Sequence, residues 1–226
     1  MNEKVRKIVL PGEFLSFREG RKLGNYVYQE GEKVFSKVIG IPKILENCID
    51  VIPLAGTYFP KIGDRVIGIV KNVEVSGWFV DINSPYLAFL PLSLAVSEYV
   101  DIFRVDLSKY YDVEDVIFCR ISKVTKDKIV QVTMKDPEAK KLEGGVLMKI
   151  TPTKVARLIG KGRSMINLLK EKTKCEILPG QNGVVWLKGD NLQKAIQAIL
   201  MIERESHIYG LTEKIQKFLS GVNEKS

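Results

Sequence analysis

Between Val155 and Thr173 the sequence reads VARLIGKGRSMINLLKEKT, two short apolar-periodic segments parted by Gly160-Lys161-Gly162-Arg163. Such a stretch can hold a phosphate backbone. Glycines let another chain approach closely, a helix N-terminus offers unpaired N–H groups, and cations supply charge. Gly160 has the conformational freedom a tight turn needs, and Lys161 can direct its ammonium outward. Arg163 adds a donor fork but carries a Cβ where loops of this kind have a second glycine. These four residues favour a weak electrostatic contact with a polyanion over a tight, sequence-reading grip, with a purely structural loop as the alternative.

The surrounding charge points the same way. Residues 144–226 hold 14 Lys and Arg against 7 Asp and Glu, so +7 of the chain's net +8 resides there. Lys149, Lys154, Arg157, Lys161, Arg163, Lys170, Lys172 and Lys174 meet only Glu171 over residues 149–174. A cluster this one-sided attracts polyanions and makes their binding salt-dependent. Arg157, Gly160, Lys161, Gly162 and Arg163 are therefore the candidate nucleic-acid contacts of this region. Nearby, Gly180-Gln181-Asn182-Gly183 carries the Asn-Gly hairpin signal, so Gly180, Asn182 and Gly183 are expected to form a structural turn. Trp186 just beyond it is expected in a core or interface.

A second candidate lies in SGWFVD, where the neighbours Trp78 and Phe79 must face opposite sides of a strand, one into a core and one outward. An outward aromatic can stack on a base, worth ~1–3 kcal/mol, while cations track the backbone. Lys71, Arg120, Lys123, Lys126 and Lys128 are placed to ring the same face, although residues 61–143 carry a net charge of only −1, from 12 Lys and Arg against 13 Asp and Glu.

Catalytic patterns are scarce. The sequence has no Walker-type phosphate loop, no His-x-x-x-His pair and no Gly-x-Ser-x-Gly elbow. Its one histidine, His207, falls late in the final helical region and is expected at the surface or in packing. Asp112, Glu114 and Asp115 could bind Mg²⁺ as in a nuclease, but a solvated turn accounts for them more simply. Cys48, Cys119 and Cys175 are odd in number and widely spaced, which suits buried thiols rather than disulfides or zinc. No metal and no cofactor is expected. With no apolar run of membrane-spanning length and no leader-like start, a soluble, cytoplasmic protein is expected.

The elements that must position these residues follow from the pattern. Residues 1–60 hold short apolar runs cut by turn signals, a small β domain. Residues 61–143 give five β-rich runs with a longer, partly helical connection between the third and fourth, as an OB barrel requires, followed by a linker, KDPEAKKLEGG. Residues 144–226 run strand, helix, glycine loop, helix, strand, turn, strand, helix, the order of a eukaryotic-type (type I) KH domain with C-terminal helices. Leu192, Ala195, Ile196, Ile199 and Leu200 form the apolar stripe of its long helix, with Asp190 or Asn191 as start cap and Gly210 as end. The fold class is multidomain, β-rich plus α+β.

The whole chain resembles the KH-bearing RNA-binding cap subunit of the archaeal exosome. VLPGEFL, DVIPLAGTYFPKIGDRVIGIV, SGWFVDI and GQNGVVWLKG carry the resemblance in order, the last matching a Gly-x-Asn-Gly motif of such subunits. The resemblance implies an N-terminal β domain that docks on the ring, an S1-type OB domain and a KH domain. It also implies three copies on a six-membered ring of RNase PH-like subunits, catalytic and non-catalytic, feeding single-stranded RNA to phosphorolytic sites inside. The cap itself is then not an enzyme. Two places depart from the S1 pattern: Ser76 stands where an exposed aromatic is usual and Pro91 where a histidine is usual. A free-standing S1/KH factor in translation or RNA folding is the alternative function, and a metal-dependent nuclease a third.

Overall fold

The structure, a computed structural model, describes residues 8–24, 26–96, 106–206, 208 and 210–220. His207 lies outside them. The N-terminal region folds into β1 (Phe14–Phe17), β2 (Lys22–Leu23), β3 (Val27–Glu30), β4 (Lys33–Ser36), β5 (Gly40–Ile44) and β6 (Cys48–Pro53). They form two three-stranded sheets, ordered β1-β4-β3 and β2-β6-β5. Alternation decides which side is buried: Val27, Val34, Ile49 and Val51 turn inward with Val9 to make a small core. The Glu30-Gly31 turn signal joins β3 to β4, with Gly31 at φ +58°.

The second unit is built from β7 (Arg65–Glu74), β8 (Gly77–Asp81), β9 (Ala88–Pro91), the short helix α1 (Leu92–Ala95), β10 (Val116–Val124) and β11 (Val130–Thr133). Pairing runs β7 to β8 to β9, then β9 to β11 in parallel, β11 to β10 and β10 back to β7, so the sheet closes into a five-stranded barrel. Trp78, Ile82, Leu90, Ile117, Ile121 and Val132 fill it. Tyr58 joins this core from ahead of β7 and donates its hydroxyl to Asp64, 2.7 Å away. The segment expected to be a linker instead contains a strand, β12 (Lys140–Leu142), antiparallel to β10. Its two lysines hide the signal, because only Leu142 turns inward.

The C-terminal unit holds β13 (Val146–Lys149), α2 (Val155–Ile159), α3 (Ser164–Thr173), β14 (Glu176–Pro179), β15 (Val184–Lys188), α4 (Leu192–Arg204) and α5 (Leu211–Ser220). The sheet order β13-β15-β14, antiparallel throughout, is that of a type I KH domain. On α4, Ala195, Ala198, Ile199 and Ile202 are buried in the core, and Leu192 and Ile196 pack against it partly covered. Asn191 stands at its start without capping; its side-chain amide donates to the Thr173 carbonyl at 3.1 Å. Gly210 does not end α4, which stops at Arg204, but precedes α5, where its carbonyl accepts from Lys214 N–H. Among the described residues no helix is long and apolar enough to cross a membrane.

Barrel and KH unit share a seam. Ile67, Phe118 and Leu142 from one side meet Val184 and Trp186 from the other, and the Trp186 indole N–H donates to the Gly144 carbonyl at 2.7 Å. The turn expected to be structural does more than reverse the chain. Asn182 is fully buried, and its amide donates to the carbonyls of Ile67 (2.7 Å) and Ile82 (2.8 Å), while its oxygen accepts from Ile67 N–H (3.3 Å). Gln181 adds a reciprocal pair with Arg65: its N–H donates to the Arg65 carbonyl (2.8 Å), and its side-chain oxygen accepts from Arg65 N–H (2.7 Å). Gly180 has to be glycine here, since a Cβ would sit 2.4 Å from Asn182 Oδ1 and 2.8 Å from Ile67 N.

Replacing Asn182 with Ala strands these buried barrel backbone groups, so the variant is expected to lose about 2–4 kcal/mol. Urea unfolding followed by fluorescence checks this; an unchanged midpoint would show that the seam does not depend on the amide.

Candidate nucleic-acid interface

The short helix α2 ends at Gly160, whose φ of +73° and ψ of 169° turn the chain sharply. A Cβ there would lie 2.8 Å from Met165 N and 2.9 Å from its Cβ, so the turn requires glycine. Lys161–Arg163 then make one 3₁₀ turn before α3 begins. Gly162 has φ +59° with open space around it, and Arg163 has φ +64°. The loop thus retains a left-handed backbone at the position of the missing glycine, which an arginine adopts at a cost of about 1–2 kcal/mol. Lys161, Gly162 and Arg163 are all exposed. The Arg163 guanidinium lies 3.6 Å from Glu138 of the barrel unit, a solvent-screened pair that leaves its side chain 66% exposed.

Arg157 is not part of this surface. Its guanidinium turns toward the segment between α4 and α5, donating to the Ile208 carbonyl at 3.3 Å, and its Nε is buried without a partner.

On the barrel the two neighbouring aromatics divide as strand alternation demands. Trp78 is 0% exposed, its indole N–H donates to the Tyr111 carbonyl at 2.7 Å, and its ring meets Tyr111 edge-on. It therefore cannot present a stacking face, which corrects its place among the contact candidates. Phe79 is 37% exposed and packs against Phe89 with ring centroids 5.3 Å apart. Strand register extends this pair into a row across the outer wall: Asn72 opposite Phe79, Phe79 opposite Phe89, Phe89 beside Gln131, and Gln131 opposite Lys123. Phe89 and Gln131 were not evident from the sequence. The signal was there for Phe89, which lies between buried Ala88 and Leu90 in AFLPL and must face outward.

The cations separate into engaged and free. Lys71 pairs with Glu114 at 2.8 Å, and that hydrogen bond raises its pKa. Arg120 lies 3.5 Å from Asp136. Lys123 and, at the turn that follows it, Lys126 and Lys128 are exposed, and none has an ion pair among the described residues. The acidic turn is also occupied internally. Asp115 accepts from Asp112 N–H (2.7 Å) and pairs with Lys141 (2.5 Å), and no His, Cys, Asp or Glu group among the described residues is arranged to hold a metal. Burial pushes the Cys119 thiol up to about 12, leaving it inert.

At the seam a charged chain links both units. Asp136, its side chain 2% exposed, is flanked by Arg65 at 3.2 Å and Arg120 at 3.5 Å; Arg65 also reaches Glu138 at 2.9 Å, and Glu138 meets Arg163. The Glu138 N–H donates to Asp136 at 3.0 Å, and this bond, with the two guanidinium groups, holds the Asp136 carboxyl below the usual aspartate range against the opposing effect of its burial.

Three family models match in succession: the exosome RNA binding protein RRP4 N-terminal domain over residues 6–55, the RRP4 S1 domain over 57–123, and a KH domain over 145–193. The exosome complex component Rrp4 of Thermococcus kodakarensis is 43% identical over 224 residues, covering 96% of this chain and 86% of its own. The chain belongs to the Rrp4 family of exosome components. Rrp4 of Methanothermus fervidus is 44% identical, with 96% of each chain covered. A solved structure described as an exosome complex RNA-binding protein superposes with a TM-score of 0.67 at 33% identity, over 73% of this chain and 96% of that one. The match to the Rrp4 S1 model ends at residue 123, before β11, the strand that closes the barrel.

Asp136 supplies a pH signature. Because its folded pKa is depressed, it stabilises the fold fully above its unfolded pKa of about 3.9, and that contribution is lost as pH falls through the lower folded value. The Asp136→Asn variant is expected to be less stable than the native chain by about 1–3 kcal/mol at pH 7. Denaturant midpoints of the two should converge as the pH falls through the depressed folded pKa; a difference that persists once Asp136 is protonated would contradict its ionised form as the source.

Proposed function

We propose that this chain is the non-catalytic RNA-binding cap subunit of an archaeal, cytoplasmic exosome. Three copies sit about a three-fold axis on the ring of RNase PH-like subunits and guide single-stranded RNA into its pore for 3′-to-5′ phosphorolytic degradation. Membership of the Rrp4 family supports the assembly, and the relatives' names carry the exosome role. The observation that carries RNA guidance is the cross-strand row in which exposed Phe79, packed on half-buried Phe89, runs by register to Lys123. Aromatics there stack bases without selecting them, and Lys123, Lys126 and Lys128 track phosphates. The KH loop adds Lys161 and Arg163 as weak contacts. Few contacts per copy suffice, because a three-fold arrangement raises effective concentration around the pore.

The division of labour proposed is ring docking by residues 1–60, RNA contact by 61–143 and KH support by 144–226. An exposed aromatic cluster on the N-terminal sheet fits docking: Phe14 contacts Phe17 and Phe35 edge-on, and Tyr28 stacks on Phe35. Phe14 and Phe17 are 42% and 49% exposed, an apolar surface that a protein partner would cover.

Fluorescence anisotropy with single-stranded RNA tests the row. Replacing Lys123, Lys126 and Lys128 with Gln should lower the slope of log affinity against log salt by about 2, at ~0.7 per phosphate neutralised. Phe79→Ala should weaken binding roughly five- to hundredfold without changing that slope. Native mass of the chain mixed with ring subunits should show three caps per ring, lost on deleting residues 1–60. Tight, sequence-dependent binding by the isolated chain, indifferent to that deletion, would return the free-standing factor instead. RNA cleaved by the chain alone in Mg²⁺ would refute a non-catalytic cap.

A further inference from the structure

Asn182-Gly183 is the one Asn-Gly pair in the sequence. Every other asparagine precedes a residue whose side chain crowds its own backbone nitrogen, whereas glycine leaves that nitrogen free to reach the asparagine side chain. This makes the pair chemically labile. In the reaction the Gly183 nitrogen gives its proton to a solvent base and bonds to Asn182 Cγ, the Cγ–Nδ2 bond breaks, and the amide leaves as ammonia. Water then opens the cyclic imide. Cleavage of the new N–Cγ bond leaves aspartate, and cleavage of the original peptide bond leaves isoaspartate, with the chain rerouted through Cγ. Water is consumed, ammonia is released, and no atom changes oxidation state.

In the folded chain every group this reaction must move is held. The leaving amide is fastened to the carbonyls of Ile67 (2.7 Å) and Ile82 (2.8 Å), and Asn182 Oδ1 accepts from Ile67 N–H (3.3 Å). The proton of the attacking nitrogen is engaged too, since Gly183 N–H donates to the Gly180 carbonyl at 3.1 Å. Asn83 on the barrel side donates to the Asn182 backbone carbonyl at 2.9 Å. Both Asn182 and Gly183 are buried, which keeps water and base away. The side chain reaches into the barrel, so it can fold back on Gly183 only after the seam has opened. We propose that Asn182-Gly183 is a latent covalent modification site gated by that seam: it is inert while barrel and KH unit are docked, converts to aspartate or isoaspartate when they part, and then keeps them from docking again. The last step follows from the product. A carboxylate at position 182 has no hydrogen for the Ile67 and Ile82 carbonyls and would bury its charge against two acceptors. Isoaspartate adds a carbon to the backbone of a turn closed by the Gly183–Gly180 bond, so it cannot bring the side chain back to the same place.

The test holds the full chain in mildly alkaline buffer with and without denaturing urea. Peptide mass spectrometry follows the mass gain of NH₂ becoming OH at Asn182, and enzymatic isoaspartyl methylation detects the rerouted product. Conversion of the native chain is expected to be on the order of tenfold to a thousandfold slower than in urea, the ratio being the fraction of chains with the seam open. Phe118→Ala empties the seam from the barrel side and should speed native conversion roughly tenfold or more. Gln181→Ala removes only the rim bond to Arg65 N–H and leaves the core filled; it should speed conversion about two- to tenfold, and carries the comparison if circular dichroism shows Phe118→Ala unfolded. Val34→Ala, in the N-terminal core, should leave the rate unchanged. Equal rates with and without urea, no acceleration by a folded seam variant, or equal acceleration by Val34→Ala each overturn gating by the seam. For the last step, chain converted in urea and refolded is compared with chain refolded after brief exposure. Hydrogen exchange across residues 65–70 should be faster in the converted chain, and the Asn182→Asp variant should share the change. Equal exchange in all three overturns the one-way step.

Discussion

A single amide side chain fixes how the barrel and the KH unit face each other. Asn182 reaches out of its own turn and satisfies backbone groups at Ile67 on β7 and at Ile82 just past the end of β8. In a dry seam such groups are expensive to leave unpaired, so only one placement of the KH unit avoids the penalty. Apolar contacts around Trp186 and Phe118 contribute area but tolerate sliding, whereas three directed hydrogen bonds do not. The positions of Gln181 against Arg65, and of Arg163 near Glu138, follow from that placement.

The charge of the chain gains meaning once its partners are known. The excess of lysine and arginine at 144–226 attracts polyanions, yet the cations nearest the seam serve it rather than a ligand. Arg65 and Arg120 hold Asp136, and Lys140 pairs with Glu176 at 2.9 Å. Those left to solvent are Lys123 near the end of β10, Lys126 and Lys128 at the turn that follows it, Lys161 in the glycine loop and Lys170 on an outward helix face. A basic surface of this kind is a set of weak, screened attractions.

Local patterns were legible where a short segment contains its own reason. Period-two alternation separated Trp78 from Phe79, Gly160 was marked by the turn it must make, and Asn-Gly announced a hairpin. The reading failed where a neighbour distant in sequence supplied the reason. The strand β12 is two lysines and one leucine, and it is a strand because β10 offers an open edge to pair with. Gly210 carries a helix-end signal but stands at the start of α5. Arg157 belongs to a basic cluster in sequence and to the Ile208 carbonyl in space.

By itself, then, the order of residues determined the kinds of unit present, their succession and the presence of a polyanion-seeking surface, because periodicity, turn chemistry and charge act over a few residues at a time. Only the tertiary structure decided which aromatics form the outer row, which cations are free and that the Asn-Gly turn is a plug between units. Parallel pairing of β9 with β11, some forty residues apart, and insertion of Asn182 against Ile67 and Ile82, 115 and 100 residues away, have no local signature. Chain closure over such lengths is set by the fit of surfaces, and fit is a property of the folded molecule.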